Sequence, residues 1–132
     1  MYRKLIEKAL AARENAYAPY SRFKVGAALL TESGKIYTGC NIENAAYSAT
    51  NCAERTAFFK AISEGENSFK AIAIAAGRED GETGYFTPCG VCRQVMAEFC
   101  GENNFEIIAA KSADEYKVYT LGQLLPDSFN GR

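Results

Sequence analysis

The run at residues 69–76, apolar but for Lys70 at its start, leaves this chain few folds to choose from. A strand apolar at consecutive positions buries both faces, so it belongs at the centre of a sheet that is covered on each side. The covering elements can be read around it. Residues 2–16 read as an amphipathic helix with Tyr2, Leu5, Ile6, Ala9 and Leu10 on one side. It should stop near Ala18-Pro19, because proline disfavours helix in the residue before it. Residues 49–63 read as a second helix, with Ser48 as N-cap and Gly65 beyond its end. A third spans residues 89–100, with Pro88 at its mouth and Gly101 just after it. Residues 23–30 and 35–40 predict a hairpin around Glu32-Ser33-Gly34. The first of these strands holds Gly26, Ala27 and Ala28, small residues that let another element come close to the backbone. Residues 105–110 and 116–120 are two further strands, and 121–125 a short turn or helix.

The order α-β-β-α-β-α-β-β-α predicts an α/β fold: a three-layer α-β-α arrangement with a mixed sheet of about five strands. The strand-helix-strand unit over 69–110 should be parallel and right-handed. A chain of 132 residues suits one domain over 1–132 and leaves little room for a second.

Chemistry concentrates in two short segments, Cys52-Ala53-Glu54 and Pro88-Cys89-Gly90-Val91-Cys92, in a chain with no histidine. Without histidine there is no Ser-His-Asp or Cys-His nucleophile, so any general base must be a carboxylate, lysine, tyrosine or thiolate. Cys52, Cys89 and Cys92 can supply three thiolates to zinc, which takes four ligands. A fourth position left to water marks a catalytic site rather than a structural one. Both segments fall at helix starts, where the positive end of the dipole lowers a thiol's pKa. Glu54 is the first choice of base, and Arg55 a hydrogen-bond donor to the thiolates. Cys40 and Cys100 read as small buried hydrophobes. Alternatives remain at this point. Cys89 and Cys92 could be a redox pair, or the cluster could be a structural zinc site.

Net charge is −1 with scattered basic residues, which gives no footprint for a polynucleotide. No basic start leads into an apolar run, and no stretch is long and apolar enough to cross a bilayer. Five cysteines without a secretory signal read as thiols or metal ligands in a reducing cytoplasm.

The chain resembles the small zinc-dependent cytidine deaminases nearly end to end. The matching stretches run over 23–28, 41–48, 52–57 and 87–94, and include Asn41-Ile42-Glu43-Asn44 and Thr87-Pro88-Cys89-Gly90-Val91-Cys92-Arg93-Gln94. A cysteine at the first ligand position is similar to the short homotetrameric branch with one zinc per subunit. The resemblance implies Cys52, Cys89 and Cys92 as ligands and Glu54 as proton shuttle. Phe23 would stack on the pyrimidine, Asn41 and Glu43 would bind the sugar 3′-hydroxyl, and the Ala53 backbone would read the base edge. Arg55 and Arg93 would lie beside the thiolates and soften their charge. Tyr47 and Phe129 would complete a neighbouring subunit's pocket.

The implied reaction is hydrolytic deamination of cytidine and deoxycytidine in pyrimidine salvage. A free nucleoside substrate needs no base flipping and no nucleic acid polymer or membrane partner. Rival readings are a deaminase of another cytosine nucleoside such as blasticidin S, a noncatalytic zinc-stabilised module, and a dithiol oxidoreductase.

Overall fold

The apolar run becomes the central strand of a five-stranded sheet with order β2-β1-β3-β4-β5. The computed structural model describes residues 2–131. Helix α1 (Tyr2–Arg13) leads to β1 (Phe23–Thr31) and β2 (Ile36–Cys40). Helix α2 (Ala53–Ser63), β3 (Phe69–Arg78) and α3 (Gly90–Phe99) follow. β4 (Glu106–Ala110), β5 (Tyr116–Thr120) and the short α4 (Leu121–Leu124) complete the order. β3 runs antiparallel to β1 and parallel to β4, so the sheet is mixed, as the crossover through α3 requires.

Side-chain alternation along the strands separates two apolar layers. Ala28, Leu30, Ala71, Ala73 and Ala75 face α1, which contributes Leu5, Ile6 and Ala9. Ala27, Leu29, Ile72 and Ile74 face the other way, against Ala57 and Phe58 of α2 and Met96 of α3. The small residues of β1 and β3 therefore serve one purpose: they let α1 lie almost on the sheet. Gly26 sits at that contact, where a methyl group would stand 2.1 Å from the Ala9 carbonyl oxygen. Gly39 does the same on the opposite face. A methyl there would come within 2.5 Å of the Ala53 carbonyl oxygen and 2.6 Å of the Ala57 nitrogen, at the start of α2. Arg13, in the last turn of α1, locks the layer by donating from Nε to the Lys24 carbonyl and from Nη2 to Gly77 and Arg78.

The largest departure from the sequence reading is the start of α2. A helix from residue 49 with Ser48 as cap is not what forms. Tyr47–Ala49 make one isolated 3-10 turn, and α2 begins at Ala53 with Cys52 as its N-cap. The cause lies ten residues away in sequence. Asn51 and Ile42 exchange both backbone hydrogen bonds, at 2.9 and 3.0 Å, which commits Asn51 to extended backbone. The helix cannot start until that bridge has been made. Helix α3 likewise starts one residue later than expected, at Gly90, with Cys89 as its N-cap.

Candidate active site

Two of the three sulfurs thus sit at helix N-caps, on extended backbone, and neither is used in a capping hydrogen bond. The third, Cys92, lies in the first turn of α3 and is buried. The Sγ atoms of Cys52 and Cys89 are 3.7 Å apart, and those of Cys89 and Cys92 3.5 Å. All three lie within 4.8 Å of one another. A tetrahedral zinc with bonds of about 2.3 Å to sulfur sets its ligands about 3.8 Å apart, so this triangle fits the ion.

The electrostatics fit it too. Cys52 is held as the thiolate by its hydrogen bond with Cys92, against the pull of burial, and Arg55 adds to the effect. Cys92 is pushed up by the same bond, by burial and by the charges of Glu54 and Cys52. Like charges this close cannot all ionise without a cation between them. Arg55 donates from Nη2 to Cys52 Sγ at 3.3 Å, as expected, while its Nε is buried without a hydrogen-bond partner. Cys40 and Cys100 lie outside the cluster and are each only partly buried. Burial lifts the Cys100 thiol to about 12.

Glu54 is 5% exposed, and burial pushes its carboxyl up to about 7. The neighbouring Cys52 charge raises it further, while its own backbone amide and Arg55 act in the opposite direction. A carboxyl whose two protonation states are close in energy near neutrality suits proton transfer in both directions. Glu54, Cys52, Cys89, Phe23, Asn41 and Glu43 all line one cavity of about 350 Å³. Fully buried Ala53, the first residue of α2, lines it as well.

The family described as the cytidine and deoxycytidylate deaminase zinc-binding region matches residues 1–105. This chain belongs to that family. A cytidine deaminase of Sporosarcina psychrophila is 54% identical over 96% of this chain and 90% of its own length. A probable cytidine deaminase of Dictyostelium discoideum is 45% identical over 96% of this chain and 82% of its own. Among solved structures, a cytidine deaminase of Burkholderia pseudomallei superposes with a TM-score of 0.88 at 48% identity, covering 98% of this chain and 99% of that one. One from Mycobacterium tuberculosis gives 0.82 at 38% identity, covering 98% and 97%.

Within this deaminase-family site, the remaining candidates fall at different distances from the sulfurs. Asn41 bridges to β1 at both ends of its amide: Oδ1 accepts from the Val25 amide at 2.9 Å, and Nδ2 donates to the Phe23 carbonyl at 2.8 Å. Glu43 Oε1 accepts from the Tyr20 and Ser21 amides at 3.0 and 3.1 Å, and Oε2 from the Ser21 hydroxyl. Partial desolvation opposes its charge, but these three donors outweigh it and keep the carboxyl below its ordinary range. Tyr47 is 83% exposed and lines a neighbouring depression with Tyr20 and Glu43. Phe129 is 79% exposed, its carbonyl held by Gln94 Nε2 at 2.6 Å.

Arg93 departs from the expectation that it softens the thiolates. It donates from Nε to the Pro88 carbonyl and from Nη1 to the Leu124 carbonyl, both at 2.7 Å, and from Nη2 to Thr87 Oγ1 at 2.9 Å. Its charge braces the loop before Cys89 rather than the sulfur itself. Two site residues were not singled out from sequence. Ser21 holds Glu43, and Phe86 lines the cavity with its ring edge-on to Phe23. Phe86 carries one local signal, its place two residues before the Pro88-Cys89 pair. Ser21 carries none.

Proposed function

We propose that the protein deaminates cytidine and deoxycytidine hydrolytically, releasing ammonia and leaving uridine or deoxyuridine, as a step of pyrimidine salvage. The observation that carries this is a cluster of three sulfurs, two of which, on Cys52 and Cys89, line one cavity of about 350 Å³ together with the buried Glu54. Cys52, Cys89 and Cys92 would hold a zinc ion, which would supply the Lewis acidity that makes water a nucleophile at neutral pH.

The chain's own residues account for the rest. Glu54 accepts a proton from the water whose oxygen will add to C4 of the base. It passes that proton to ring N3, which makes C4 electrophilic. It then takes the remaining proton of the C4 hydroxyl and delivers it to the exocyclic nitrogen, so that the C4–N bond breaks, the C4=O bond forms and ammonia leaves. The apolar surroundings of Glu54 keep the carboxyl basic enough for the first step and acidic enough for the last. Phe23 offers a face for the pyrimidine, and the Ala53 amide at the mouth of α2 offers a donor to its edge. Arg55 withdraws charge from Cys52, which keeps a trithiolate zinc electrophilic.

Glu43 favours a nucleoside over a nucleotide. Its carboxylate is held ionised at the cavity wall, where it accepts from a sugar hydroxyl but repels a phosphate. Purified, zinc-loaded protein should consume the ultraviolet band of cytidine with one ammonia released per molecule. Cytidine monophosphate and single-stranded oligonucleotides should react far more slowly. Equal rates on cytidine and an oligonucleotide would sink the nucleoside reading.

We also infer a homotetramer with one zinc per subunit, whose pockets are completed by Tyr47 and Phe129 of neighbouring chains. Tyr47, in a depression that shares Glu43 with the site cavity, and Phe129 are both largely uncovered in the single chain and so available to a neighbouring one. Sedimentation should give four chains, and Phe129→Ala should raise KM without changing zinc content. An unaltered KM would remove the tail from the pocket. The five free cysteines suit a reducing compartment such as the cytoplasm.

A further inference from the structure

We propose that Phe86 is the specificity wall of the base pocket: it borders the C5–C6 edge of the pyrimidine and limits the size of a C5 substituent. The inference deepens the deaminase reading above and rests on it.

The Phe86 and Phe23 rings meet with centroids 5.0 Å apart and planes at 83°, so together they form a corner in the cavity. A base stacked on Phe23 lies parallel to that ring and therefore perpendicular to Phe86. It meets Phe86 with an edge and not with a face. The edges of a cytosine are few. C4 and its amino group must reach the sulfurs and Glu54. N3 and O2 belong to the Glu54 carboxyl and the Ala53 amide at the start of α2. N1 carries the sugar toward Asn41 and Glu43. The C5–C6 edge is what remains for Phe86.

The wall is braced. The segment between β3 and α3 is held at Gly84, whose amide donates to the Ala76 carbonyl at 2.9 Å. The Thr83 hydroxyl donates to the Lys111 carbonyl, and the Lys117 ammonium sits 4.5 Å from the centroid of the Tyr85 ring. Arg93 fixes Thr87 and Pro88 on the far side of Phe86. The Phe86 ring itself packs on the bare backbone of Gly84, where a methyl group would stand 3.0 Å from ring Cε2. Yet Phe86 lines the cavity and is 43% exposed. A held aromatic ring with one open face beside a reacting group is a surface for a ligand to cover.

The test compares cytidine with 5-bromocytidine in the wild type and in Phe86→Ala, both zinc-loaded. The intrinsic effect of bromine on reactivity cancels when the kcat/KM ratios of the two proteins are compared. A few buried atoms of apolar space discriminate by about 10–200-fold, so Phe86→Ala should shift the ratio toward the bromo compound by about tenfold or more. Binding of the products, uridine against 5-bromouridine, should shift in the same direction by calorimetry. Phe86→Leu, which keeps the apolar packing, should give a smaller shift the same way and serves should the alanine variant fail to fold. Ratios within twofold of wild type, in a variant that still turns over cytidine, would overturn the inference alone. A zinc-loaded wild type that neither deaminates cytidine nor binds uridine would overturn the deaminase reading and the inference with it.

Discussion

Replacing Glu54 by glutamine should lower kcat for cytidine by at least about 10²–10⁴ while leaving one zinc per chain. The amide keeps the shape and volume of the carboxyl, so the fully buried Ala53 beside it and the packing of α2 on the sheet are undisturbed. What is lost is a group able to hold a proton and release it. The position has little else to do. Among the described residues Glu54 makes no ion pair, and burial disfavours its charged form and pushes its carboxyl up to about 7. A residue kept there for stability would be apolar, because a buried ionisable group weakens a fold unless it is paired. Arg55, the nearest cation, is spent on Cys52. Glutamine should therefore fold at least as well and fail in the chemistry alone. Metal analysis beside steady-state kinetics checks it. Activity within tenfold of wild type, at full zinc, would take Glu54 out of the mechanism.

The sequence carried this site well in some places and not at all in others, for physical reasons that differ by residue. Residues 71–76 announced a central strand because burial on both faces leaves no polar alternation, and they form the body of β3. Cys52, Cys89 and Cys92 were legible because each short segment carries its own ligand pattern, and a shared face for Cys89 and Cys92 follows from their spacing of three. Their convergence was an expectation that the sheet then met, by placing the N-termini of α2 and α3 beside each other. The true start of α2 was hidden, because the Ile42–Asn51 bridge that delays it joins residues outside any local window. Arg93 was misread partly for the same reason: of its three partners, Leu124 is 31 positions away. The hold of Ser21 on Glu43 spans 22 positions and leaves no mark in either segment. Gly26 and Ala28 were read as places of close approach without saying of what. Only the packing of α1 answers that. Local chemistry was readable, and the contacts that aim it were not.

Cys52→Ala should strip the protein of zinc and reduce its activity by well over about 10²-fold, since even partners of metal ligands are worth 10–100-fold. The choice of Cys52 matters, because it separates three readings of the same cysteines. In a dithiol oxidoreductase the working pair is Cys89 and Cys92, whose sulfurs are 3.5 Å apart, and Cys52 is dispensable. In a zinc centre all three sulfurs are equivalent, and removing any one leaves two ligands where the ion needs three. In a closed structural site a fourth protein ligand should exist, yet no other cysteine, aspartate or glutamate among the described residues joins the cluster. Loss of the metal should also be felt by the fold. The ion ties the mouth of α2 to the mouth of α3, and a ligand bound only by the native state adds about 4 kcal/mol at a thousand times its Kd. The variant should melt lower than wild type and stop responding to added zinc. Cys100→Ala is the control. Its sulfur packs against the core beside α3 and lies outside the cluster, so stability should fall by the size of a small cavity, with zinc and kcat unchanged. Full zinc in Cys52→Ala, or zinc loss in Cys100→Ala, would move the metal to a different set of ligands and dissolve the link between the sulfurs and Glu54.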